Sequence, residues 1–158
     1  MIVREATTED AKRVAEINVI GWHTAYKGLV PDDFLANMPF DEDIIRRTAD
    51  RIQEHEYYVA EVDDHVVGFA SLEYPEEKVV EIMALYIHPD FQKKGVGSAL
   101  VNYICQHKKD AGYNRLVLWT IKNGPSVGFY QKQGLQLSNM VQKFWKCNVP
   151  IIRLEKEL

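Results

Sequence analysis

The residues best placed to do chemistry lie where a strand runs straight into a helix through glycines. Glu81-Ile82-Met83-Ala84-Leu85-Tyr86-Ile87 reads as a strand, His88-Pro89-Asp90-Phe91 turns the chain, and Gln92-Lys93-Lys94-Gly95-Val96-Gly97 opens a helix. Gly95 and Gly97 let the backbone approach a ligand, and the first amides of a helix have no partner within it, so the ligand that suits such a turn is an anion. Each amide bonded to a charged oxygen contributes roughly 1.5–3 kcal/mol net. The helix dipole adds about 0.3–1 kcal/mol, so several amides together outweigh it. Lys93 and Lys94 add charge at the rim, where exposed pairs are individually weak. The loop is neither a dinucleotide fingerprint nor a Walker loop, because the third glycine is absent and no Gly-Lys-Ser/Thr follows. Taken alone, Gly-x-Gly after a strand is more often a tight turn than a ligand site.

A second constellation changes that weighting. Asn123, Ser126, Phe129 and Tyr130 surround the start of another short helix after the next strand, so two strand-to-helix turns face one cleft. With both present the chain resembles the GNAT superfamily of N-acetyltransferases. The family's Gln/Arg-x-x-Gly-x-Gly/Ala stands here as Gln92-x-x-Gly95-x-Gly97, and its Asn-x-x-Ala-x-x-Phe-Tyr-x-x-x-Gly-Phe as Asn123-x-x-Ser126-x-x-Phe129-Tyr130-x-x-x-Gly134-Leu135, with Ser126 and Leu135 as mild departures.

The resemblance implies acetyl-CoA as donor and direct transfer to an amine, with no metal. The amides from Lys93 through Gly95, Val96 and Gly97 to Ser98 would hold the pyrophosphate. The backbone of Leu85 and Ile87 would pair with pantetheine like an added strand, in a splay between the strand ending near Ile87 and the one beginning near Arg115. Asn123 would bond pantetheine or orient Tyr130, with Ser126 along the same arm; helix capping is the alternative for Asn123. Tyr130 is the family's usual general acid for the departing thiolate. A tyrosine pKa of about 10 against about 8.5 for a thiol favours a hydrogen-bonded or concerted transfer over full proton transfer. Glu81, fourteen residues before Gly95, stands where some relatives keep the base that deprotonates the amine through water. That role requires burial to raise its pKa, and an exposed strand-edge glutamate is the equal alternative. Other relatives keep a glutamate five residues before the asparagine; this chain has Leu118, which argues against protein N-terminal acetylation of that kind.

Elements that position these residues follow from periodicity. Ile2 to Ala6 reads as a strand, and Thr7, with Asp10 three residues on, caps a helix whose packed face is Ala11, Val14, Asn18, Gly21, Trp22 and Ala25. Lys27 to Pro31 breaks it, and Asp41 to Glu54 forms a further helix with Ile44, Ile45, Thr48 and Ile52 inward. From Tyr57 the period becomes two, giving a hairpin turned at Asp63-Asp64-His65 and a third strand from Val79 to Ile87 in an antiparallel meander. A helix from Gly95 ends at Gly112, Arg115 to Ile121 is a strand, Pro125 to Gln133 a short helix closed by Gly134, and strands near Leu135 to Phe144 and Ile151 to Glu157 finish the sheet. The expected fold class is α/β (α+β): a GNAT-like mixed, mostly antiparallel sheet of about six to seven strands flanked by about four helices, in a single domain spanning the chain.

At 158 residues, 46% hydrophobic and 27% charged, the chain has the balance of an ordinary globular domain. A net charge of -4 and a pI near 5.7 exclude a general nucleic-acid binder. No apolar run suits a membrane span or signal peptide, so a cytoplasmic location is expected, without membrane or nucleic-acid partners. Cys105 and Cys147 lack metal-site spacing and read as inert thiols. The acceptor wall is expected from Trp22 to Pro31 and beyond. His23 reads as a packed or surface histidine, and Asp32, Asp33, Asp41, Glu42 and Asp43 as a solvated face that could attract a cationic amine. Trp119, Phe144 and Trp145 read as core, with a wall or a homodimer surface as the alternative. A small-molecule amine is favoured over a protein acceptor; a module that holds acyl-CoA without turnover is the rival from another class.

Overall fold

Two aspartates make the first hairpin. Asp63 and Asp64 both take positive φ, 50° and 60°, the backbone of a two-residue turn whose twist matches that of its strands. It joins β2 (Glu56–Val62) to β3 (His65–Glu76), and β4 (Val79–Ile87) continues the meander. In the computed structural model, residues 1–144 and 147–158 are described. Among them, β1 (Ile2–Glu5), β2, β3, β4, β5 (Arg115–Ile121), β7 (Pro150–Glu157) and β6 (Gln136–Lys143) lie in that order in one sheet, in which only the β4–β5 pairing is parallel.

Helices α1 (Ala11–Ala25) and α3 (Glu42–Glu54) cover one face and α4 (Val96–Asp110) the other, with α5 (Ser126–Lys132) beside β5. The Thr7 cap is present in an altered form. The Asp10 carboxylate accepts the Thr7 amide at 2.8 Å and closes a short 3-10 turn, Thr8–Asp10, that leads into α1. Asp41 caps α3 by accepting the Ile44 amide at 2.9 Å. The inward face of α1 differs from the periodic expectation: Ala15 and Ile17 are fully buried while Asn18 is half-buried, because α1 packs against α3 as well as the sheet. A five-residue helix, α2 (Asp32–Ala36), follows Pro31 where no helix was expected. Its Leu35 joins Val30, Ile121 and Ile151 in a satellite core.

An irregularity in β4 decides the shape of the site. Leu72 pairs with Ile82 but Ser71 pairs with Ala84, so Met83 is an extra residue. A bulge of this kind reverses which face each later side chain takes. Val80 and Ile82 pack toward α4, and beyond the bulge it is Leu85 and Ile87 that do so, while Ala84 and Tyr86 join the α1 side.

Two polar networks tie the far half of the sheet. Arg4 bonds both carboxylate oxygens of Asp10, at 2.8 and 2.9 Å, and also Glu61. Glu56 accepts hydrogen bonds from Tyr58, Tyr74 and the buried ammonium of Lys108, the last at 2.6 Å. Burial alone would raise the Glu56 pKa, but these three donors hold it below the ordinary carboxylate value.

Candidate active site

Pairing between β4 and β5 stops at Ile82 and Leu118, although the strands run on to Ile87 and Ile121. Past that point the β5-facing edge of β4 has no strand beside it, and a cleft of about 640 Å³ opens between the two. At one end lies the start of α4. Gly95 holds φ at 85°, a conformation other residues adopt only with strain, and no side chain caps the helix, so its first amides are left for a ligand. Gly97 has a different reason to lack a side chain: a Cβ there would meet the Phe129 ring at 3.0 Å. The two helix starts can therefore close on one another.

Side chains fix the loop in place. Gln92 donates to the Ile87 carbonyl at 3.2 Å, and Gln133 donates to the Ser98 hydroxyl at 2.9 Å. Of the residues expected to hold the coenzyme, the cleft brings together Leu85, Ile87, Gln92, Lys93, Gly95, Val96, Gly97, Ser98, Ser126 and Phe129, along with Tyr130. Lys94 and Asn123 are exposed and lie outside the lining. Lys94 instead extends its ammonium over the Phe91 ring at 5.5 Å, and Asn123 sits in the turn before α5.

Tyr130 is buried and contacts Phe129 edge-on, at 5.1 Å between ring centroids. Burial, then the neighbouring Tyr26 hydroxyl, pushes its pKa above the ordinary 10.0, so it is a protonated donor throughout the neutral range. Glu81 lies outside the cleft lining, half-buried on the face away from α4 and paired with Glu73 and Val117 in the sheet. Burial raises its pKa from 4.5; Arg153 opposes that and Glu73 reinforces it. The half-exposed position has the pKa direction a base requires.

Among the lining residues for which the sequence suggested no role are Tyr86 and Met83. Tyr86, turned toward α1 by the Met83 bulge, donates to the Tyr26 hydroxyl at 3.2 Å. Its ring occupies the space beside Gly21, where a Cβ would come within 2.5 Å of it. Met83 is half exposed at the bulge, and Thr24, from the segment expected to form the acceptor wall, lines the cleft as well. A glycine in the middle of a helix was the available signal for Tyr86.

The segment expected to form the acceptor wall packs in an aromatic cluster, of which Trp22, Phe34 and Phe144 lie outside the cleft lining. Trp22 lies 4.4 Å from Tyr26, 5.5 Å from Phe34 and 5.6 Å from Phe144, centroid to centroid. Trp119 belongs to the same cluster and lines the cleft; Trp145 lies outside the described residues. His23 is exposed, with a ring nitrogen 3.3 Å from the Met38 carbonyl, and stands apart from the cleft. Asp41 is the α3 cap and Asp43 pairs with Arg46 and Arg47, so the acidic run serves the helix start and does not face the cleft. Cys105 is partly buried, which pushes its thiol up, and Cys147 is partly buried in the satellite cluster. No helix among the described residues is long and apolar enough to cross a membrane.

Comparison with known proteins bears on this arrangement directly. YuaI of Bacillus subtilis (strain 168), described as an uncharacterized N-acetyltransferase, is 30% identical over 137 residues, 82% of this chain and 76% of that protein. MJ1207 of Methanocaldococcus jannaschii, likewise described, is 28% identical over 56% of this chain but only 42% of its own length. The PaiA N-acetyltransferase of Thermoplasma acidophilum, solved with coenzyme A, superposes with a TM-score of 0.82 at 19% identity, covering 99% of this chain and 98% of that one. The family model described as acetyltransferase (GNAT) family matches residues 22–135, from the first helix through both glycine turns, and the chain belongs to that family of acetyltransferases.

Proposed function

We propose that the enzyme transfers an acetyl group directly from acetyl-CoA to a primary amine of a small molecule in the cytoplasm. The observation that carries this reading is the cleft in which β4 parts from β5, with the uncapped start of α4 at one end and the Tyr130 hydroxyl within it. The residues present fit the coenzyme. The α4 amides suit a pyrophosphate, the free edge of β4 suits the amides of a pantetheine arm, and Gly97 leaves room where a side chain would meet Phe129. The coenzyme complex of PaiA, a protein of the same fold, supports the same occupant here.

When bound, the coenzyme supplies an activated thioester. Lys93 to Ser98 and the free edge of β4 then hold and orient it. Main-chain amides at the bulge beside Leu85 stabilise negative charge that develops on the carbonyl oxygen. Glu81 takes a proton from the acceptor ammonium, which at a pKa of about 10.4 costs roughly 4–5 kcal/mol to deprotonate at neutral pH. Because Glu81 stands behind the lining, that proton moves through water. Tyr130 gives its hydroxyl proton, or a strong hydrogen bond, to the departing sulfur.

A small acceptor is favoured because Tyr86 bonded to Tyr26 at 3.2 Å, together with Trp119, lines the acceptor end, where a peptide would need an open groove. Thiol release from acetyl-CoA, measured against simple amines, amino acids, polyamines, aminoglycosides and peptides, tests this. Release is expected with at least one small amine. Coenzyme binding without release for any acceptor would instead identify a holding module, and release with peptides alone a protein acetyltransferase.

A further inference from the structure

We infer that the acceptor is a singly charged primary amine carried on an apolar or aromatic body, and that polycations are poor substrates. This rests on the acetyl-transfer reading and names the acceptor class for the same cleft. Among the described residues lining the cleft, the only charged side chain is Lys93, which belongs to the anion end. The acceptor end is built from Thr24 and Ala25 of α1, Tyr26 just after it, Met83 and Tyr86 of β4, and Trp119 of β5. No carboxylate joins them. The acidic residues of the neighbouring segment are engaged elsewhere, Asp41 on the Ile44 amide and Asp43 on Arg46 and Arg47, while Asp32, Asp33 and Glu42 are exposed outside the lining.

Physical chemistry decides which amine such a wall accepts. One ammonium can sit against the faces of Tyr26, Tyr86 and Trp119 until it loses its proton, since aromatic faces attract cations. A second ammonium in the same enclosure would be desolvated with no carboxylate to meet it, which is unfavourable unless it is paired. Glu81 does not remove this difficulty. It is a single carboxyl behind the wall, already in the field of Arg153. An apolar body, by contrast, gains from every contact it makes there.

The wall is also held in shape, so it selects by fit. Tyr86 is seated in the gap left by Gly21 and bonded to Tyr26 at 3.2 Å. Tyr26 is in turn packed on Trp22 at 4.4 Å. Opening the wall to admit a branched polycation would break these contacts together.

The test compares thiol release for 2-phenylethylamine and tryptamine with that for spermidine and kanamycin, using the whole chain and acetyl-CoA. The kcat/KM for the aromatic monoamines is expected to exceed that for the polycations by roughly ten-fold or more, the least that burying a second, unpaired ammonium should cost. Thr24→Glu and, separately, Ala25→Glu place a carboxylate on the wall and should narrow or reverse that ratio while the dissociation constant of coenzyme A stays the same. Spermidine or kanamycin used as well as the monoamines by the unaltered enzyme would overturn the inference and leave acetyl transfer standing. A ratio unmoved by both carboxylate variants, each shown to be folded by circular dichroism, would also overturn it. Release with no amine at all would overturn both readings.

Discussion

Two clusters of tyrosines sit in different halves of the sheet, and they are organised in opposite ways. On the far side, Tyr58 and Tyr74 both donate to Glu56, which also receives Lys108, so every strong group there is used up within the protein. In the cleft, Tyr86 donates to Tyr26, Tyr130 stands beside them, and no carboxylate closes the set. The first arrangement lies where β2 and β3 are fully paired, and the second where β4 has lost its neighbour. Polar groups that satisfy one another fix a fold. Polar groups placed by packing and aimed at open space are available to a substrate. Gly21 and Gly97 do for the cleft what ion pairs do for the far side: by lacking a side chain they leave room for the Tyr86 and Phe129 rings.

The sharpest way to break this comparison is to remove one hydroxyl from the cleft. Tyr130→Phe should lower kcat by about 10²–10⁴, the usual range for a positioned proton donor, with little change in coenzyme affinity or in the urea midpoint. Unchanged turnover would mean that Tyr130 is core packing and that the two clusters are alike. On the far side the pattern should invert. Lys108→Ala leaves the Glu56 carboxylate with Tyr58 and Tyr74 as its donors and should cost about 1.5–3 kcal/mol in urea unfolding, the range for a hydrogen bond to a charged group. The kcat of the folded fraction should not change. A fall in kcat beyond the loss of folded protein would show that the far cluster reaches the cleft.

The same contrast explains what the sequence disclosed. The anion end was legible because backbone builds it: Gln92 to Gly97 is one contiguous run, and Gly95 with its positive φ marks itself by residue type. The strand order of the meander was legible for a similar reason, since turns and two-residue alternation are local. The proposed acceptor end was legible only in part, through Tyr26 in the expected wall and Trp119 as an alternative, and Tyr86 was not. That end draws Tyr26, Tyr86 and Trp119 from three parts of the chain, and the bulge that turns Tyr86 toward α1 appears only once β3 and β4 are in register. Asn123 is a different case: the motif match assigns it to the coenzyme, and in the structure it is exposed in the turn before α5, outside the cleft lining. The acidic run from Asp41 to Asp43 suggested a cation site by composition, and capping and ion pairing use it locally instead.

A smaller effect should appear with pH. Asp10, held by Arg4 against the pull of burial, and Glu56, held by its three donors, both have folded pKa values below their ordinary 3.8 and 4.5. A depressed carboxyl contributes stability that is complete above the ordinary value and fades as pH falls through the folded one. The urea midpoint should therefore be nearly flat from roughly pH 7 to 5 and drop below that. Glu56→Gln should start lower and drop less steeply. A parallel drop in the variant would show that Glu56 is not among the groups responsible.

Glu81 should give the smallest change in stability, and one of opposite sign. Burial raises its pKa above 4.5, so folding disfavours its ionised form. The sign follows from linkage: a carboxyl with a raised folded pKa loses stability as pH rises through that value. At neutral pH the ionised Glu81 is a cost to the fold, offset in part by Arg153. Glu81→Gln should thus raise the unfolding free energy at pH 7 by no more than a few tenths of a kcal/mol, since the site is half-exposed and the favourable field of Arg153, itself paired with Glu155, is lost as well. The gain should vanish near pH 4, where both forms of the protein are neutral at this position. Turnover should move the other way, falling about ten-fold or more at pH 7 if this carboxyl receives the acceptor's proton. Stability that drops by a full kcal/mol while turnover holds would make Glu81 a structural partner of Arg153, and would move it from the cleft's side of the comparison to that of Glu56.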